Sequence, residues 1–172
     1  NGGMAPYILA DEKDLIALPD ELSYKDGAQV ACGFGTVYEA IEKIGICGND
    51  AVLVTGLGPV GLAALMLAKA MGANKLIGVE MNDYRIDLAK KLGLADLVVK
   101  PGPDALDQIL AATGGKGVER AIDASASDPG RQLAILLPES GARSLSSARA
   151  APAPSIRARI SFMARRPFTV PG

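Results

Sequence analysis

The stretch Val52-Leu-Val-Thr-Gly56-Leu-Gly58-Pro-Val-Gly61-Leu-Ala-Ala-Leu65 constrains this chain more than any other. It reads as an apolar strand, a Gly-x-Gly-x-x-Gly turn and then a helix. Glu80 closes the next apolar strand, nineteen residues after Gly61. Strand, glycine turn, helix and a distant acid together have the spacing of a dinucleotide-binding βαβ unit. Each glycine has its own task. Gly56 permits the tight turn, Gly58 lets the backbone approach a pyrophosphate, and Gly61 lets the helix pack close to its strand. Pro59 and Val60 open the helix, whose N-terminus offers N–H groups and a positive dipole end to phosphates.

Two blander readings compete. A glycine-rich turn can bind nothing, and the chain carries 20 Gly. Residues 51–71 hold a single charge, Lys69, and would pass for a membrane helix by hydropathy alone. The Gly and Pro residues at the centre of that window, and the charged amphipathic segments on either side, favour the soluble strand-turn-helix.

Around this unit the sequence alternates. Residues 51–55, 75–80, 96–99 and 118–123 read as strands one to four. Residues 59–71, 83–92, 103–113 and 128–136 read as helices, stopped by Gly72, Gly93 and Gly114 where the pattern calls for a C-terminal cap. Strands without polar alternation, separated by helices, predict a parallel sheet covered on both faces. The expected fold class is therefore α/β: an incomplete Rossmann-type, doubly wound sheet of about four strands. Strands one and four should flank the switch point where a nucleotide lies. An exposed edge on strand four would make the chain prone to aggregate.

Upstream, residues 7–10 and 15–18 read as short strands. Ser23 reads as the N-cap of a helix reaching about Ala31. Residues 34–44 read as a helix whose buried face holds Phe34, Val37, Tyr38, Ile41 and Ile44.

The tail breaks the pattern. From residue 137 to the last there are six Arg, no Lys and one acid, Glu139. This stretch is read as aberrant, either disordered or translated out of frame; a one-base shift can restore a protein-like string. The expected divisions are 1–31 as a remnant of an upstream domain, 32–136 as the nucleotide-binding domain, and 137–172 as this tail. The opening Asn-Gly-Gly and the change of composition suggest a piece of something longer.

Composition narrows the partners. Eighteen basic and nineteen acidic residues nearly cancel, and aromatics make up 4% of the chain. That argues against nucleic acid or an anionic membrane as partner. Two Cys make no disulfide framework, and no secretion pattern is read, so a cytoplasmic location is expected. There is no His, the commonest general base.

Four stretches carry a family likeness: Gly3-Met-Ala-Pro-Tyr7, Ala31-Cys-Gly-Phe-Gly-Thr-Val-Tyr38, the glycine turn with its flanks, and Gly114-Gly-Lys-Gly-Val-Glu-Arg-Ala-Ile-Asp123. Over residues 2–131 the chain resembles the zinc-dependent alcohol dehydrogenases of the medium-chain dehydrogenase/reductase family, of the threonine and sorbitol dehydrogenase kind. The resemblance implies an oxidoreductase moving a hydride between a small-molecule alcohol and NAD, and a homo-oligomer for the full-length parent. It implies a catalytic zinc in that parent, held by two Cys and one His. Cys32 matches one ligand position; its plain alternative is a structural thiol. Cys47 matches none, and the partner ligands belong to a segment not in this sequence.

The likeness places Thr36 against the nicotinamide, as the one candidate at the reacting centre. Glu80 would accept hydrogen bonds from the adenosine ribose and repel a 2′-phosphate, favouring NAD over NADP. Arg85 would cover the adenine or pair with Asp83. Ala124 and Ser125 would lie near the nicotinamide-side ribose. Three other readings remain at this stage: a nucleotide-binding module without turnover, a zinc-free NADPH-dependent quinone reductase, and a methyltransferase that uses Glu80 for a different ribose.

Overall fold

Ser23 begins the ordered helices. Its hydroxyl accepts from the Asp26 N–H while the Asp26 carboxylate accepts from the Ser23 N–H, a complete capping box. Helix α1 (Tyr24–Gln29) runs through a π-helical turn (Val30–Phe34) into α2 (Gly35–Ile44) without a break. The expected division between residues 31 and 32 falls inside this run. Gly45 stops it in the left-handed conformation, with φ +67°. The computed structural model describes residues 3–136 and 138–146.

Five parallel strands follow, separated by helices: β1 (Ala51–Thr55), α3 (Pro59–Ala70), β2 (Lys75–Val79), α4 (Asp83–Lys91), β3 (Leu97–Val99), α5 (Ala105–Ala112), β4 (Val118–Asp123), α6 (Asp128–Leu136) and β5 (Pro138–Ser146). Their order in the sheet is β3-β2-β1-β4-β5. The chain moves outward from β1 to β3, then returns to β1's other side with β4. The switch point therefore lies between the C-terminal ends of β1 and β4, as expected.

Period-two alternation divides the core. Val52 and Val54 face α2 and α3, in a cluster with Val37, Ile41, Ile44 and Leu65. Leu53, between them, faces the other way, with Ile77, Val99, Ile109 and Ala134. Both faces are covered, which is why β1 reads as a continuous apolar run.

Three expectations need correction. Residues 7–10 and 15–18 are not strands; the segment is irregular apart from a short 3-10 turn (Glu12–Asp14). Tyr7, Leu9 and Ile16 stand open to solvent, Ile16 at 94%, because an extended apolar run needs a neighbouring strand and none lies beside it among the described residues. Tyr38 is 53% exposed. Helix α2 buries the narrower stripe Val37, Ile41 and Ile44, and Tyr38 lies one position off it.

The sheet also continues past the four strands read from the sequence. Pro138–Ser146 pairs with β4 in parallel, Arg120 opposite Arg143 and Asp123 opposite Ser146, with a register shift between Val118 and Arg120. The edge of β4 is thus covered. Backbone hydrogen bonds to that edge define β5, and they leave no periodic signature in side chains. The remainder of the tail, from residue 147 onward, lies outside the described residues.

Candidate functional site

The turn between β1 and α3 is built by close backbone approach. Gly56 has φ +81°, and a Cβ there would lie 2.4 Å from Ser125 Cα. At Gly61 a Cβ would lie 1.8 Å from the Gly56 carbonyl oxygen. Neither position accepts a side chain. Gly58 is different. Its backbone is extended, with φ −71° and ψ −171°, and an added Cβ would meet only the Arg85 guanidinium at 3.8 Å. The space over Gly58 is open as far as Arg85, and a larger residue would fill it. Gly58 is the N-cap of α3, Pro59 is its first residue, and no side chain caps the helix. The first N–H groups, starting at Val60, face that space from a helix end with partial positive charge.

Glu80 follows the last residue of β2 and turns toward this bend. One carboxylate oxygen accepts from the Leu57 N–H at 2.8 Å; the other accepts from Met81 N–H at 2.9 Å and Asn82 N–H at 3.0 Å. Arg85 stands 3.5 Å away, its side chain half exposed. Asn82 caps α4 and fixes Arg85 on the first turn, accepting from the Arg85 N–H. Burial by itself would push the Glu80 carboxyl up. The N–H groups of Asn82, Leu57 and Met81, together with the Arg85 charge, outweigh burial and hold the carboxyl below its ordinary value. Arg85 pairs with Glu80; Asp83, its expected alternative, pairs with Lys100.

On the β4 side, Ala124 donates its N–H to the Thr55 carbonyl and so continues the ladder to the switch point. Ser125 lies against Gly56 and donates both its N–H and its hydroxyl to the Asp123 carboxylate, at 3.0 and 2.6 Å. Asp123, 1% exposed, also accepts from the Thr55 hydroxyl at 2.8 Å. Sequence reasoning passed over Asp123 and Thr55 as strand ends. The available signal was a carboxylate closing an otherwise apolar strand.

The structure thus brings Gly56, Gly58, Pro59, Val60, Gly61, Glu80, Arg85, Ala124 and Ser125 to one end of the sheet. Thr36 and Cys32 sit on the helical run 24–44, both exposed, with no hydrogen bond or ion pair to this group. The π-helical turn that carries Cys32 packs on α3. Cys47 is exposed in the loop before β1. Among the described residues, no three His, Cys, Asp or Glu side chains form a group that could hold a metal ion, and no helix is long and apolar enough to cross a membrane.

The chain is similar to known proteins in sequence and in fold. A family described as zinc-binding dehydrogenase matches residues 59–162, more than half of the chain and past the start of the unusual tail. An uncharacterized zinc-type alcohol dehydrogenase-like protein of Escherichia coli, YphC, is 50% identical over 135 residues, which is 78% of this chain and 38% of that protein. An alcohol dehydrogenase of Geobacillus stearothermophilus is 38% identical over 60% of this chain and 30% of its own length. A solved NAD-dependent alcohol dehydrogenase superposes with a TM-score of 0.75 at 30% identity, over 84% of this chain and 42% of its own. The chain therefore spans about two fifths of the length of such relatives.

Proposed function

From the premise that the chain belongs to the zinc-binding dehydrogenase family, we propose that it is the NAD-binding part of an NAD-dependent alcohol or polyol dehydrogenase. One observation carries this reading: Glu80 is joined through the Leu57 N–H to the very bend whose open helix end faces the space over Gly58. A dinucleotide has two chemical handles, a diphosphate and a ribose diol, and these two features address one each. The diphosphate lies over Gly58 against the α3 N-terminus. The diol binds Glu80, which stays ionised near neutral pH and disfavours a 2′-phosphate. Arg85 yields its place beside Glu80 and contacts the adenosine half. Ala124 and Ser125 border the other ribose. NAD, when bound, supplies the acceptor for a hydride; the chain's own residues bind and orient it.

Zinc does not fit the residues present. Cys32 is one exposed thiol, the chain has no His, and a catalytic zinc of this family needs three protein ligands. The metal, the alcohol pocket and any oligomer contact belong, on this reading, to the longer protein, and the chain by itself binds nucleotide without turnover. Thr36 keeps its proposed place near the nicotinamide in that longer protein.

Fluorescence titration of the chain with NADH and with NADPH, each with and without added zinc, tests the proposal. NADH should bind more tightly than NADPH, zinc should change neither, and no alcohol should be oxidised. Preference for NADPH would remove the role given to Glu80. Alcohol oxidation by the chain would overturn the separation of binding from catalysis.

A further inference from the structure

We infer that Asp123 is a positioning residue that sets the wall of the nucleotide crevice formed by Ala124–Ser127, and through it the seat of the nicotinamide half. The inference rests on the dinucleotide reading above and adds a residue to it.

Asp123 is buried at the C-terminal end of β4, where the two sides of the switch point meet. It joins both. From β1 it receives the Thr55 hydroxyl; from the loop after β4 it receives the Ser125 N–H and hydroxyl. From α6, Arg131 approaches its second carboxylate oxygen at 3.8 Å and also holds Asp128 at 3.0 Å. The loop is braced beyond that. Ser127 N–H donates to the Ser125 hydroxyl oxygen at 3.1 Å, and Gly130 N–H donates to the Ser127 hydroxyl oxygen at 3.2 Å. A Cβ on Gly130 would lie 2.2 Å from the Ser125 hydroxyl oxygen, so α6 begins pressed against the loop.

An independent observation points the same way. Ala126 has φ +54°, in the left-handed region that residues with a Cβ avoid. Such a conformation persists only where its surroundings over-determine it, and it concentrates at binding sites. The surroundings here are the bonds centred on Asp123. With Gly56 in contact with Ser125, a shift of this loop changes the width of the crevice where its two walls meet.

The consequence is separable. Glu80 and Arg85 serve the adenosine half from the β2 side of the bend, while Asp123 holds the loop on the β4 side, so loosening the loop should weaken a ligand that reaches across the switch point and spare one that does not. AMP is the second kind of ligand and NADH the first. In the full chain, Asp123→Ala should bind NADH about tenfold more weakly while AMP affinity stays within about twofold. Equal losses for both ligands, or no loss for either, would overturn the inference. If Asp123→Ala does not fold, Thr55→Val decides, since it removes one donor from Asp123 at nearly constant shape. NADH weakened with AMP unchanged supports the assignment; no change, or parallel change, removes it. Unaltered chain that binds neither ligand would instead sink the dinucleotide reading itself.

Discussion

Two carboxylates flank the Gly56–Gly61 bend, and they are held in opposite ways. Glu80, at the end of β2, is 6% exposed and is gripped by three backbone N–H groups, with Arg85 as a half-exposed charge partner. Asp123, at the end of β4, is gripped by hydroxyls and one backbone N–H, with Arg131 mostly buried beside it. Backbone donors from a turn and a helix start hold a carboxylate in place, with a half-exposed arginine as its charge partner on the solvent side. Hydroxyl donors from β1 and from the loop after β4 tie that loop and the neighbouring strand to the end of β4. The first arrangement suits contact with a ligand; the second suits support of a loop that makes the contact.

The substitution with the largest expected effect breaks both sides at once. Gly61→Ala puts a methyl 1.8 Å from the Gly56 carbonyl oxygen, and backbone must move to relieve it. The bend then shifts relative to both Glu80 and Ser125. We expect a loss of about 3 kcal/mol in urea unfolding. A variant within about 0.5 kcal/mol of the parent would mean that the bend is not the rigid hub this comparison assumes.

Next comes Glu80→Gln, which keeps size and removes charge. One of the two oxygens becomes an NH2 that faces a backbone N–H. The expected loss is about 2 kcal/mol. Its pH dependence is the sharper test. In the fold the Glu80 carboxyl lies below its ordinary value of 4.5, so the unfolded chain takes up its proton first as pH falls. The stabilisation is complete above that ordinary value and fades as pH drops through the lower folded one. The parent should therefore lose stability on acidification faster than Glu80→Gln over that window. Equal acid slopes would show that Glu80 is not held as an ion.

This contrast also explains what could be read from the sequence. The βα alternation was legible because short, largely apolar runs alternate with helices that Gly72, Gly93 and Gly114 follow, and Glu80 was legible because its distance from Gly61 is set by one helix and one strand. Asp123 was visible only as the last residue of a strand. Its partner Thr55 lies 68 positions away, and nothing local announces the pairing. β5 was illegible for a related reason: Gly141, Arg143 and Ser144 have no apolar period, and the strand is defined by the open edge beside it. Residues 7–10 and 15–18 erred the other way. They have the composition of strands but no neighbour, and a strand is a property of the pair. Tyr38 shows the same limit on a helix, where spacing locates a face to within one position and packing selects the stripe.

The smallest expected effect separates the two arginines. Arg85 is half exposed, and water already screens its attraction to Glu80, so Arg85→Ala should cost at most about 0.5 kcal/mol in low salt. In 1 M salt the screening length falls to about 3 Å, and even that difference should vanish. Arg131 is 17% exposed and faces a carboxylate that is 1% exposed, so salt reaches that pair poorly. Arg131→Ala should cost at least about 1 kcal/mol, because it leaves buried charge less well compensated, and the cost should persist in 1 M salt. Urea unfolding of both variants at low and high salt makes the measurement. If the two arginines respond alike to salt, Asp123 is no more sequestered than Glu80. The distinction between a carboxylate that meets a ligand and one that supports the loop beside it would then have no energetic basis.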